Sequence, residues 1–136
     1  MDLNEFSNVM QDIAKDVDRN ASRIVRKVAL AVDATVVLAT PVDTGRARAN
    51  WQVGLDQPVT GWEEKYSPSG RESIDAARQQ IDRYTSQNTS LNITNNLPYI
   101  GKLNDGYSAQ APSGFVEQAV MIGVDALKDA SIISKG

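Results

Sequence analysis

A pair of glutamates and a set of three glycines are the first places to look for chemistry in this chain. Glu63 and Glu64 are adjacent carboxylates that follow Trp62. Neighbouring side chains in a loop do not present two carboxylates to one bond, as acid/base hydrolysis of a glycoside requires, so solvated loop charges are the simpler reading. Gly101, Gly106 and Gly114 lack the spacing and the trailing Lys-Ser/Thr of a phosphate-cradling loop. The chain has no cysteine and no histidine. A thiolate metal site, a disulfide framework, the common hydrolytic triads and the commonest metal ligand are therefore all missing. Neither an enzymatic activity nor a cofactor or metal site is expected.

The residues that remain are suited to contact. The segment Pro41-Val-Asp-Thr-Gly-Arg-Ala-Arg-Ala-Asn-Trp51 begins with a helix stop and carries Asp43 or Thr44 as a cap for a new turn near Gly45. Arg46 and Arg48 would project from that turn, and Trp51 would start the next strand. Such a segment can be a rigid corner between two elements. It can equally be a docking site, because arginine and tryptophan dominate interface hot spots. Tyr99 and Tyr107 flank a second turn, where they either pack over it or meet another subunit. Lys15, Arg19, Arg23 and Lys27 recur at steps of four, with Arg26 beside them. On a helix they form one basic face, partly neutralised by Asp12, Asp16 and Asp18. That face is either solvated or faces an acidic partner or DNA, and phosphate contacts would weaken steeply with salt.

The elements that position these residues can be read from periodicity. Leu3, Phe6, Met10, Ile13, Val17, Ala21, Ile24 and Val28 recur at steps of three and four, which predicts a helix from Leu3 to Ala39, capped by Asp2 and stopped by Pro41. At 1.5 Å per residue it would be on the order of 55 Å long. A compact domain of this size is about twice ~14 Å across, so part of the helix must project, bend or lie on another chain. Residues 1–27 are read as an amphipathic arm, and the nearly continuous apolar run Val28–Leu38 as a central core element buried on all sides. Trp51–Leu55 and Ser90–Thr94 read as strands, Arg71–Tyr84 as a helix and Pro98–Leu103 as a helical turn. Residues 56–70, rich in Pro, Gly and Ser, read as a surface loop that could order on assembly. Ser113 would cap a last helix with Phe115, Val116, Ala119, Val120, Val124 and Leu127 on one stripe. Residues 130–136 read as a flexible tail.

The expected fold class is α+β, with a long N-terminal helix packed on a small, mostly antiparallel sheet and a C-terminal helix, in one domain over residues 1–136. The sequence has 136 residues and a formal charge of −3, which gives no overall attraction for a polyanion. No apolar run is long enough to span a membrane, and the acidic N-terminus has no basic region of a secretory signal, so no membrane contact is expected.

The corner segment resembles the Pro-Val-Asp-Thr-Gly-Arg-Leu-Arg-x-Ser-Trp motif of neck, or tail-completion, proteins of long-tailed bacteriophages. It departs from that motif only at Ala47 and Asn50. Asn96-Leu-Pro-Tyr-Ile-Gly-Lys-Leu-Asn-Asp-Gly106, followed by Ser108 to Val116, resembles the family's second block, Asn-x-x-Pro-Tyr-Ala-x-x-x-Glu-x-Gly and a Pro-x-Gly turn. Asn104 and Asp105 stand around the place of its glutamate. Residues 57–88 resemble the family least. The resemblance implies a non-catalytic virion protein at the head–tail junction, assembled in the host bacterial cytoplasm. Its implied partners are copies of itself, in a ring of six or, beside a connector, twelve. The head-connector or adaptor protein and the tail-terminator or tail-tube protein are its implied neighbours, and DNA passes through the lumen. Asp43, Thr44, Arg46, Arg48, Trp51, Tyr99 and Tyr107 are the expected docking residues. The alternative is a small nucleic-acid-binding module that uses Lys15, Arg19, Arg23 and Lys27.

Overall fold

In a computed structural model the chain is described over residues 3–106 and 114–129, with side chains described for 19–106 and for 114–125 except Val124. Seven elements follow in order: α1 (Leu3–Ala39), α2 (Arg46–Ala49), β1 (Gln52–Leu55), α3 (Arg71–Ile81), β2 (Leu91–Thr94), α4 (Ile100–Asn104) and α5 (Phe115–Asp129). The fold is α+β. The long helix α1 packs with α5 and with a two-stranded antiparallel sheet in which Val53 faces Ile93 and Leu55 faces Leu91.

Helix α1 ends where the sequence says it must. Pro41 has no N–H to offer, and Thr40 closes the last turn by donating both its N–H and its hydroxyl to the Val36 carbonyl. Ser22, Ala29, Asp33, Val36, Val37 and Thr40 are buried and recur at helical spacing. One end of this face joins Trp51, Phe115 and Ala119 in a core cluster. The other end, through Ala29, joins Val53, Ala77 and Ile81 in a second cluster that seats α3 and the sheet. Burying the Val, Ile and Phe side chains of these clusters stabilises the fold by about 1.5–3 kcal/mol each.

Helix α5 runs antiparallel to α1. Phe115 and Ala119 meet the level of Val36 and Val37, while Gly123 lies against Val28 and Val32. A Cβ on Gly123 would fall 2.1 Å from Val32 Cγ2, so this glycine sets how closely the two helices approach.

Three expectations about the core need correction. Val120 is 48% exposed, because the buried line of α5 steps from Ala119 to Gly123 instead. Leu38 is 53% exposed, so Val28–Leu38 is not buried on all sides; α3, α5 and the sheet cover only part of its circumference. Ala21, placed on the apolar stripe, is exposed. The expected strand start at Trp51 and helix end at Tyr84 also shift, to Gln52 and Ile81, as Trp51 turns into the core and the chain leaves α3 in tight turns. The helix caps assigned to Asp2 and Ser113, the tail 130–136 and the side chains of Lys15, Val124 and Leu127 lie outside the described residues.

Candidate docking corner

The corner between α1 and β1 is built around Gly45. Its φ of 89° lies in the left-handed region that glycine adopts without penalty. An added Cβ would fall 2.4 Å from the Pro68 nitrogen, and the Gly45 carbonyl accepts from both Ala49 N–H and Ser67 N–H. The loop after β1 is thus folded back onto the corner. Thr44 Oγ1 accepts the Arg46 N–H at 3.3 Å and helps start the four-residue helix α2.

Arg48 points inward from α2. Its guanidinium donates to three backbone carbonyls: Thr40 at 3.0 Å, Leu38 at 2.8 Å and Pro68 at 2.8 Å. It thereby satisfies the open C-terminal carbonyls of α1 and clamps the loop to them. Trp51 is 8% exposed, and its indole N–H donates to Thr40 Oγ1 at 2.8 Å.

Asn50 and Asn95 add links that the sequence reading did not single out. The Asn50 amide donates to the Arg46 and Glu63 carbonyls, and its oxygen accepts the Glu63 N–H at 2.8 Å. Asn95 donates to the Ala47 carbonyl at 2.9 Å, which ties β2 to α2. The only sequence signal for Asn50 is its position just before Trp51, where the resembling motif has serine. From the loop side, Gln52 donates to the Gly61 carbonyl, and Asn96 donates to the Val59 and Gly61 carbonyls. Residues 56–70 are therefore laced to both strands, although most of their side chains are exposed.

Arg46 faces the other way. Its guanidinium pairs with Glu64 at 3.0 Å and lies over the Trp62 ring, 4.3 Å from the centroid, with the Tyr99 ring at 6.0 Å. Such cation–aromatic contacts contribute about 0.5–1 kcal/mol at exposed sites. Glu64 also accepts from Tyr66 Oη at 2.7 Å, and that bond together with the Glu64 charge raises the Tyr66 pKa. Glu63 pairs instead with Lys65 at 3.3 Å. The two glutamates are engaged separately and do not converge.

The expected docking residues divide by burial. Asp43 and Thr44 are exposed, and Arg46 and Tyr99 are half-buried with Trp62 beside them. Trp51 lies in the core, and Arg48 spends its donors on the corner itself. Tyr107 lies outside the described residues. Asn104, near the place of the motif's glutamate, accepts the Gly114 N–H on its carbonyl and the Val116 N–H on its side-chain oxygen, while its amide donates to Glu117. It fixes the start of α5.

The basic face of α1 forms a separate region. Arg19, Arg23 and Arg26 line an open cleft of about 620 Å³ with Thr85 and Ser86, and Arg26 donates to the Tyr84 carbonyl at 2.6 Å. Lys27 is exposed nearby.

Among the described residues, one carboxyl is pushed toward neutrality. Asp33 is 1% exposed, neither carboxylate oxygen has a hydrogen-bond partner among the described residues, and burial raises its pKa to about 7. That value would suit a general base, but a carboxyl on a residue only 1% exposed is out of reach of a substrate. Among the described residues no group of three or more acidic side chains could hold a metal ion, and no helix is long and apolar enough to cross a membrane.

The family described as "Bacteriophage HK97-gp10, putative tail-component" matches residues 4–106. The chain belongs to this family. The match runs from α1 through the corner and on through residues 57–88, the stretch with least resemblance by motif, to the end of the second block's first half. No curated protein and no solved structure matches the chain. As a phage tail component of the HK97-gp10-like family, the protein is a structural part of the virion and works in association with other virion proteins. The fold described above is that of this tail component.

Proposed function

We propose that this tail component is a neck, or tail-completion, subunit that forms a ring between the head connector and the tail, with a lumen through which DNA passes. Six copies match the symmetry of such tails, and twelve would match a position beside a connector. The protein acts by position and carries no catalytic step. Residues 1–136 serve as one domain, with the arm 1–27 and the loop 56–70 offered to neighbouring subunits.

The observation that supports this reading best is the division of labour at the corner. Arg48, Trp51 and Asn50 spend their hydrogen bonds on rigidity, while Arg46, Trp62 and Tyr99 form a cation–aromatic cluster at the surface beside exposed Asp43 and Thr44. A pre-organised group of arginine and aromatic side chains suits a hot spot, because little freedom is lost on docking. Complementation of a phage lacking this gene tests the role. An Arg46→Ala/Tyr99→Ala variant is expected to fold, yet to leave separate heads and tails. Normally infectious particles from that variant would overturn the docking role of the corner.

The basic cleft of α1 supports a second reading, contact with passing DNA. A phosphate-binding face would give duplex binding whose affinity falls steeply with salt. Absence of binding at ~50 mM salt removes that reading.

A further inference from the structure

The geometry points to one particular contact between neighbouring copies: the N-terminal part of α1 in one subunit lies along the basic face of α1 in the next, head to tail. This inference rests on the ring reading above and names one of its contacts.

Charge is segregated along α1. Residues 1–18 carry Asp2, Glu5, Asp12, Asp16 and Asp18 against Lys15 alone, while residues 19–32 carry Arg19, Arg23, Arg26 and Lys27 and no acid. Within one helix only residues three or four apart can pair. Asp18, the last acid, lies five residues before Arg23 and nine before Lys27, about 7.5 and 13.5 Å along the axis, so neither basic residue has an acid of the stretch at the pairing distance of three or four. Both side chains are exposed.

Among the described residues, the contacts on the apolar side of α1 fall on its C-terminal part. Helix α5 has Gly123 against Val28 and Val32 and runs six residues further, to Asp129. At 1.5 Å per residue it ends about 9 Å on, roughly level with Ile24. The sequence stripe Leu3, Phe6, Met10, Ile13 and Val17 continues beyond that level on a helix that extends to Leu3. This stripe and the acids beside it give the arm the pattern of an amphipathic helix that docks on a partner.

The stagger follows from the charges. Two α1 helices side by side, parallel and in register, set acid against acid and base against base. Sliding one by eleven residues, about 16 Å, sets Asp12 and Asp16 of one copy beside Arg23 and Lys27 of the next. Each copy then gives one arm and receives one, a heterologous contact that closes into a ring when the rotation allows. Duplex DNA on the basic face would leave the acidic, apolar arm without a role.

Cysteine cross-linking tests this directly, because the chain has no cysteine of its own. An Asp16→Cys/Lys27→Cys variant, supplied to the phage and oxidised in purified virions, is expected to give a ladder of multimers of this chain. Dimers alone would mean an antiparallel, two-fold contact and would overturn the head-to-tail arrangement. Infectious particles with no cross-link would overturn the arm contact while leaving the ring reading intact; a virion lacking any ring of this chain would overturn that reading itself. Charge exchange supplies the second readout. Asp12→Lys/Asp16→Lys and Arg23→Glu/Lys27→Glu should each lose assembly, and their combination should recover it. Loss with the Arg23/Lys27 variant only, without recovery, identifies DNA as the occupant and overturns the inference.

Discussion

The indole N–H of Trp51 donates to Thr40 Oγ1 at 2.8 Å, and the same hydroxyl donates to the Val36 carbonyl, so one buried chain of hydrogen bonds joins the end of α1 to the start of β1. Thr40→Ala leaves the indole N–H buried without a partner and should cost about 1–3 kcal/mol in denaturant unfolding. Thr40→Ala combined with Trp51→Phe should cost less than the two single changes added together. Strict additivity would show that the two side chains do not act as a unit.

Arg48 and Arg46 should separate cleanly. Arg48→Ala removes three charged hydrogen bonds to carbonyls and should destabilise the protein by about 2–3 kcal/mol, with water replacing the exposed part of the loss. Arg48→Lys should recover little, since one ammonium cannot span the three carbonyls. Arg46→Ala should change stability by no more than about 1 kcal/mol. Thermal unfolding of the three variants checks the distinction.

Gly45→Ala should be among the most damaging single changes at the corner. It places a side chain at a φ of 89° and drives a Cβ into Pro68. The backbone term alone is about 1–2 kcal/mol, and the clash adds to it. A variant as stable as the wild type would show that the loop 56–70 does not depend on this turn.

The buried carboxyl of Asp33 gives a pH dependence of unusual sign. Its folded pKa, about 7, lies above its ordinary value of 3.8, so between those values the folded chain holds a proton that the unfolded chain has released. Stability from this group is therefore fully present below about pH 4 and falls as pH rises through 7. The shift corresponds to roughly 4 kcal/mol as an upper bound. Asp33→Asn should raise the melting temperature at pH 8, and its advantage should disappear near pH 4. An equal effect of the substitution at both pH values would mean that the carboxyl is not buried as a neutral acid.

Much of this arrangement was legible in the sequence because it depends on local signals. The step of three and four from Leu3 onward gives α1 its length, and Pro41 gives its end. What the sequence left open is set by contacts distant in the chain. Asp33 looks like a break in an apolar run, and only the packing around it shows that it is buried. Val120 is left exposed because α5 approaches α1 along Gly123, which lies against Val28 and Val32. At the candidate site, the motif Pro41–Trp51 marked the corner between α1 and β1. It could not show that Arg48 turns inward to Leu38, Thr40 and Pro68 while Arg46 turns outward to Trp62, nor that Asn50 and Asn95 fasten the surrounding loops.

An electron-microscopy reconstruction of the assembled phage tests the central claim most directly. The account predicts a ring of this chain between the head connector and the tail tube, with the Arg46–Trp62–Tyr99 corner against a neighbouring subunit or protein. Density for the chain at another place in the tail, or as isolated copies with no closed ring, would contradict it.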